Sequence, residues 1–366
     1  MTIHSLFDRL LAQGGSDLHL APGYPPMMRI RGDLVPTPGE PELDIGAVQR
    51  LLDSITTAEQ RAHFAATGDL DFAYAYGDKA RFRGNLMRKL SGMGGVFRTI
   101  PSKILTLDKL AVPAGIRRLS ELRAGLVLVT GTTGSGKSTT LAAMIDHING
   151  SRRGHILTIE DPVEFVHASK GCLVTHKEVG DHVPSFLEAI RSAGRENADV
   201  ILVGELRGAE TMKLALQLAS FGILIFATVH TNSAAATIDR FVNAFPADQQ
   251  PQIRGLLADS LAGIVAQQLL KRADGSGRVA VHEILVGNLA LSSLIREGKT
   301  SQIASFIQSG AAEGMQTMDS ALERLVKDGS VRVVDALEKA IDKESFAKLP
   351  HIARELAPEA NLLPLE

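Results

Sequence analysis

The sequence predicts an α/β protein, in which an α/β sheet domain follows a smaller α+β module. Three observations carry this reading. The apolar segment Leu126-Val127-Leu128-Val129 runs into Gly131-Thr132-Thr133-Gly134-Ser135-Gly136-Lys137-Ser138 and then into a helix-like stretch, residues 139–149. This is the pattern G-x-x-x-x-G-K-[ST] in the strand-to-helix context that it requires. From Gly125 onward, apolar strands alternate with amphipathic helices, the signal of an α/β sheet. Before that, Leu70, Phe72, Tyr74 and Tyr76 alternate with Asp69, Asp71, Ala73 and Ala75, as in a strand with one buried face.

Taken in order, the first fifteen residues lack the apolar core and cleavage site of a signal peptide. No apolar run reaches the roughly 18 residues that span a bilayer, so a cytoplasmic protein is expected. After the strand ending at Tyr76, Gly77-Asp78 supplies a turn, and residues 80–87 read as the returning strand. There Arg81 and Arg83 share the face opposite Phe82, where a solvated charged face is the ordinary reading. Ile100-Pro101 and Val112-Pro113 break the pattern as a linker does. The expected division is therefore a domain over 1–100, a linker over 101–115 and a second domain over 116–345. Its strands are expected at 126–130, 156–159, 200–203 and 224–229, with aliphatic runs that suit burial on both faces. Beyond Pro246, Ile253, Leu256, Leu257, Leu261, Ile264 and Val265 recur at helical spacing. Residues 346–366 read as a loosely held extension.

With 366 residues, 45% of them hydrophobic, the chain can bury about two domain cores. A net charge of −2 offers no phosphate-tracking surface, so no nucleic-acid partner is expected. The single cysteine, Cys172, excludes an internal disulfide framework and Cys-rich zinc modules; it reads as a small, semi-buried residue.

The chemistry concentrates at strand ends. In the loop, the glycines Gly131, Gly134 and Gly136 let backbone amides of Thr132, Thr133 and Ser135 turn onto a polyphosphate, and the helix opening near Thr139 directs its positive end at the same charge. Lys137 would neutralise the β- and γ-phosphates of ATP, and the Ser138 hydroxyl would hold Mg²⁺. Hydrolysis further needs a carboxylate to act on water. Asp199-Val200-Ile201-Leu202-Val203-Gly204-Glu205 is an apolar strand ending in such an acid, with glycine where many ATPases carry a metal-coordinating aspartate. Thr158-Ile159-Glu160-Asp161-Pro162-Val163-Glu164 places Glu160 and Glu164 beyond another strand, at a ligand-facing sheet edge. A third strand ends in His230-Thr231-Asn232-Ser233, where His230 could sense the γ-phosphate.

With these motifs in view, the chain resembles the PilT-type retraction ATPases of type IV pili, within the secretion-ATPase superfamily. The likeness extends from Ser16-Asp17-Leu18-His19-Leu20 through the phosphate loop, Glu178-Val179-Gly180 and Phe245-Pro246-Ala247-Asp248 to Gly314-Met315-Gln316-Thr317. It implies an N-terminal PAS-like domain, a RecA-like ATPase domain and a cytoplasmic homohexamer at the inner-membrane pilus base, acting on a platform protein. By the same likeness Glu164 is the acidic-box glutamate, Glu205 the catalytic Walker B glutamate and His230 the second histidine of the His box. Arg81, Arg83 and Arg98 match basic positions from which such motors reach nucleotide. Pilus-assembly relatives usually carry a four-cysteine zinc site, which one cysteine cannot build. The chain departs from the family pattern at Ser220, Ile223, Gly208 and Ser292-Ser293. These departures predict ATP turnover with weak or conditional retraction, and a second pilus ATPase as a further partner.

Overall fold

The computed structural model describes residues 1–30, 32–77, 79–100 and 103–356. It divides into two units, Met1–Lys103 with Pro162–Val166, and Ile104–Asp161 with His167–Glu366.

The first unit runs α1 (Ile3–Ala12), β1 (Asp17–Leu20), β2 (Met27–Ile30), β3 (Asp33–Pro36), α2 (Ile45–Asp53), α3 (Ala58–Thr67), β4 (Asp69–Tyr76), β5 (Ala80–Lys89) and β6 (Gly92–Ile100). Its strands form one antiparallel sheet in the order β3-β2-β1-β6-β5-β4. In α1, Ile3, Leu6, Phe7 and Leu10 are buried at helical spacing behind a Thr2 capping box. Phe7 stacks on Phe82 with ring centroids 4.0 Å apart, so the inward side of β5 is core and its arginines face away. The expected Gly77-Asp78 turn lies partly outside the described residues, at Asp78.

The second unit runs α4 (Ala114–Ser120), β7 (Gly125–Thr130), α5 (Lys137–Ser151), β8 (His155–Glu160), β9 (Leu173–Glu178), α6 (Phe186–Ala193), β10 (Val200–Val203), α7 (Ala209–Ser220), β11 (Leu224–Val229), α8 (Ala234–Asn243), α9 (Gln250–Ser260), β12 (Leu261–Lys271) and β13 (Arg278–Val286). Helices α10 (Leu289–Arg296), α11 (Ile303–Ser309), α12 (Met318–Lys327), α13 (Val333–Lys339), α14 (Lys343–Ala347) and α15 (Pro350–Leu356) follow. The sheet order is β13-β12-β7-β11-β10-β8-β9, parallel except for β13. Alternate side chains of one strand feed two cores. Leu126 and Leu128 face α6–α11, whereas Val127 and Val129 face α4 and α5. That double burial explains why these strands read as continuous aliphatic runs.

Two expectations are corrected here. Leu261, Ile264 and Val265 do not continue a helix: α9 ends at Ser260, and they lie in β12 beside β7. A strand covered on both faces has no period-two signal, so its apolar run reads equally well as helix. The tail is also held more firmly than expected through residue 356. Phe346 and Ile352 are buried against Leu270, Val281 and Leu322, while residues 357–366 lie outside the described range. Gln316 adds a two-hydrogen-bond bridge to β13 at Ile284 and donates to the His282 carbonyl at 2.7 Å, while Thr317 caps α12. Cys172 is buried, which pushes its thiol pKa up.

Burial holds His282 and His167 neutral, each with a pKa lowered from 6.5 to about 4. The unfolded chain therefore binds more protons than the folded one between these values, and stability falls as pH drops from about 6.5 towards 4. We expect the melting temperature to decline over that window and His282→Leu to flatten the decline. Identical pH dependence in the variant would refute the contribution of His282.

Candidate functional site

The phosphate loop connects the C-terminal end of β7 to α5. Gly131, Gly134 and Gly136 have φ of 148°, 80° and 87°, in the region that disfavours side chains. Gly131 has a second reason: a Cβ there would lie 2.3 Å from the Gln267 carbonyl oxygen and 2.5 Å from Ser135 Oγ. Gly136 precedes α5 without a side-chain cap, so the first amides of the helix are left for an anion. Lys137 Nζ donates to the carbonyls of Gly131 and Thr132 at 2.9 and 3.0 Å, which keeps the ammonium against the loop. Ser138 and Thr139 follow in the first turn of α5. Ser135 Oγ is buried and has no hydrogen-bond partner among the described residues. A cavity of about 540 Å³ opens here, lined by Thr132, Ser135, Asn232, Gln268, Arg278 and Lys339 among others. Its size and polar lining suit a nucleotide.

Parallel pairing of β10 with β11 brings two of the predicted residues together. Glu205, just beyond β10, carries on one oxygen both Arg207 Nε at 2.6 Å and His230 Nε2 at 3.2 Å, the latter from the end of β11. Burial raises the Glu205 pKa, but the hydrogen bond and charge of Arg207, with those of His230, outweigh it and hold the carboxyl below its ordinary range. The loop that carries His230 is tied to the phosphate-loop strand, since Thr231 N donates to Thr130 Oγ1 at 2.9 Å. Glu160 ends β8 and is buried. Gly204 lets β10 pass close to it, because a Cβ at 204 would already lie 3.3 Å from the Glu160 Cα. Among the described residues no cluster of His, Cys, Asp or Glu could hold a metal by itself. A site made of the Ser138 hydroxyl, phosphate oxygens and water still fits Mg²⁺, which keeps most of its waters.

The other predicted residues belong to the first unit. Glu164 lies in Pro162–Val166, so the acidic run is divided after Asp161. Arg83 is exposed and Arg81 half-buried on β5. Arg98 Nε donates to Asp17 Oδ1 at 2.9 Å, which explains the Ser16-Asp17 motif. Burial raises the Asp17 pKa, but the hydrogen bonds of Ser16 and Arg98 hold it down. Sequence reasoning missed the roles of Arg207, Gln267 and Glu283. Glu283, buried on β13, accepts from Ala234 N at 2.7 Å and so caps the helix after the His box. Gln267 and Gln268 did leave a trace, as a polar pair inside an otherwise apolar strand.

A family model described as Type II/IV secretion system protein matches residues 9–339. The chain belongs to this family. It is 49% identical over 346 residues, 94% of the chain and 100% of the relative, to the type IV pilus retraction ATPase PilT of Pseudomonas aeruginosa. The pilus ATPase PilU of the same organism is 38% identical, over 93% of the chain and 89% of PilU. A crystal structure of the pilus retraction motor PilT with bound ADP superposes with a TM-score of 0.88 at 40% identity, covering 93% of the chain and 98% of that structure. Within the family the chain is therefore of the PilT type, with an N-terminal domain and a RecA-like ATPase domain. Among the described residues no helix is long and apolar enough to cross a membrane.

Proposed function

We propose that this chain hydrolyses ATP to power retraction of type IV pili. The observation that supports it best is the Glu205–Arg207–His230 cluster at the ends of β10 and β11, of which β11 pairs with the phosphate-loop strand, in a chain 49% identical to a retraction ATPase. The loop amides and Lys137 bind and orient the phosphates. Glu205 orients and polarises the attacking water, while His230 couples its position to the strand beside the loop. Bound Mg²⁺, with Ser138 as its protein ligand, supplies charge neutralisation on the phosphate oxygens. A homohexameric ring in the cytoplasm, at the inner-membrane pilus base and on a platform protein, is the assembly this reading requires.

The departures from the family pattern weigh less than the sequence suggests. Ser220 and Ile223 precede β11, at the opposite end of that strand from His230, about 20 Å away for a six-residue strand. Gly208 starts α7 with φ 81°, a backbone position that favours glycine, and leaves Arg207 in place. Ser292 donates to the Ala258 carbonyl at 2.6 Å, tying α10 to α9. The chain is therefore proposed to retract pili by itself.

The test is expression as the sole retraction ATPase in a strain lacking its own. Normal twitching and pilus shortening are expected; retraction that needs a second pilus ATPase would establish the accessory role instead. Arg81, Arg83 and Arg98 are proposed to supply a cation to ATP. Alanine at the acting position should lower turnover by about 10³-fold or more without dissolving the oligomer. Three variants with wild-type kinetics would return them to a solvated face.

A further inference from the structure

We propose that Gln267 is the positioning residue that holds the phosphate loop in its anion-binding shape. The inference rests on reading that loop as the nucleotide site, and it concerns a residue that does not touch the phosphates. Gln267 lies in β12, next to β7 in the sheet, and is 2% exposed. Its Nε2 donates to the Ser135 carbonyl at 2.7 Å, and its Oε1 accepts from Thr140 Oγ1 at 2.7 Å. One carboxamide thus joins the loop to the helix that follows it.

The backbone closes on the same residue. Gly131 packs against the Gln267 carbonyl, and a Cβ at Gly136 would lie 2.8 Å from Gln267 Nε2. Residues 131, 135, 136 and 140 therefore converge on Gln267. The amide orientation is fixed by chemistry: a carbonyl only accepts, so nitrogen must face Ser135 and oxygen is left for the Thr140 hydroxyl.

This contact determines where a loop amide points. In a trans peptide, C=O and N–H point in opposite directions. Because the Ser135 carbonyl is drawn towards β12, the N–H of Gly136 is turned away from it, the sense needed to meet an anion in the loop. Lys137 works from the other side, through the Gly131 and Thr132 carbonyls. Neither of the near-isosteric replacements, glutamate and methionine, does both jobs. Glutamate offers no donor to the carbonyl and adds negative charge behind the loop, and methionine leaves a buried carbonyl and a buried hydroxyl unpaired.

The experiment uses the full chain and follows binding of fluorescently labelled ADP, the melting temperature without nucleotide, and the ATP dependence of turnover. For Gln267→Met we expect ADP affinity to fall about tenfold or more and the KM for ATP to rise, with a smaller change in kcat. Melting without nucleotide should fall, because the buried carbonyl and hydroxyl lose their partners, but stay well above the temperature at which binding is measured. Thr140→Val should weaken ADP less and add little on top of Gln267→Met, since both act through one contact, and Thr140→Ser should retain wild-type affinity. A folded Gln267→Met protein with wild-type ADP affinity would overturn the proposal. If that variant does not fold, the threonine pair decides, and equal ADP affinity of Thr140→Val and Thr140→Ser would also overturn it. Failure of the wild-type chain to bind ADP at all would overturn the nucleotide-site reading itself, and the brace with it.

Discussion

Lys137→Ala is expected to abolish measurable ATP turnover while leaving the fold close to intact. The ammonium is held at the loop by two carbonyls, at 2.9 and 3.0 Å, and Lys137 as a whole is 8% exposed. Both of these carbonyls belong to the loop itself, so losing the two contacts chiefly affects the loop. Removing it deletes a positive charge where polyphosphate charge accumulates, in a site sheltered enough for that charge to count strongly. Loss of one preorganised electrostatic contact typically lowers turnover by about 10²–10³-fold, and a full charge on the transferred phosphoryl group is expected at or beyond the upper end. Two readouts separate the effect from unfolding. The melting temperature without nucleotide should change little, whereas the increase produced by ADP should shrink, because ligand stabilisation depends on affinity. Phosphate release at the wild-type rate would remove Lys137 from the site.

The phosphate loop was legible because its chemistry is local. Glycines at left-handed positions, a lysine and a hydroxyl all fall within eight consecutive residues between a strand and a helix. The strands β7, β8, β10 and β11 were legible for a related reason, since burial on both faces writes continuous aliphatic runs. The same burial hid β12, whose Leu261, Ile264 and Val265 happen also to fit helical spacing. With β12 hidden, so was Gln267, whose two partners lie 132 and 127 residues away in sequence. Contacts of that range leave no spacing to read. Arg207 was in view, but its ion pair with Glu205 depends on how the chain turns after β10. The acidic run shows the opposite failure: Glu160, Asp161 and Glu164 are close in sequence, yet the chain leaves the sheet at Pro162 and the last of them groups with the first unit. Phe346 and Ile352 are apolar residues in a charged tail, and the surface of β12, β13, α12 and α13 makes them core.

Glu205→Gln is expected to retain ATP and hydrolyse it about 10²–10⁴-fold more slowly. Arg207 and His230 both engage Oε1, at 2.6 and 3.2 Å, which leaves Oε2 to accept from water. In the variant the amide oxygen keeps the two donors, so the amide nitrogen takes the place of Oε2. A donor then stands where an acceptor is needed, and the attacking water loses its alignment. Fold and affinity are spared because the shape is kept and the phosphate contacts lie on the neighbouring loop. Arg207 and His230 outweigh burial and hold the carboxyl below its ordinary range, which fits the proposed role of orienting water by geometry and charge. Arg207→Ala provides an independent check, since removing the strongest lowering partner should raise the Glu205 pKa. The acid limb of the turnover profile should then move to higher pH, because a carboxyl with a higher pKa takes up its proton earlier as the solution is acidified. A Glu205→Gln chain that lost ATP affinity while turning over each bound ATP normally would make Glu205 a binding residue, and the water would need another acceptor.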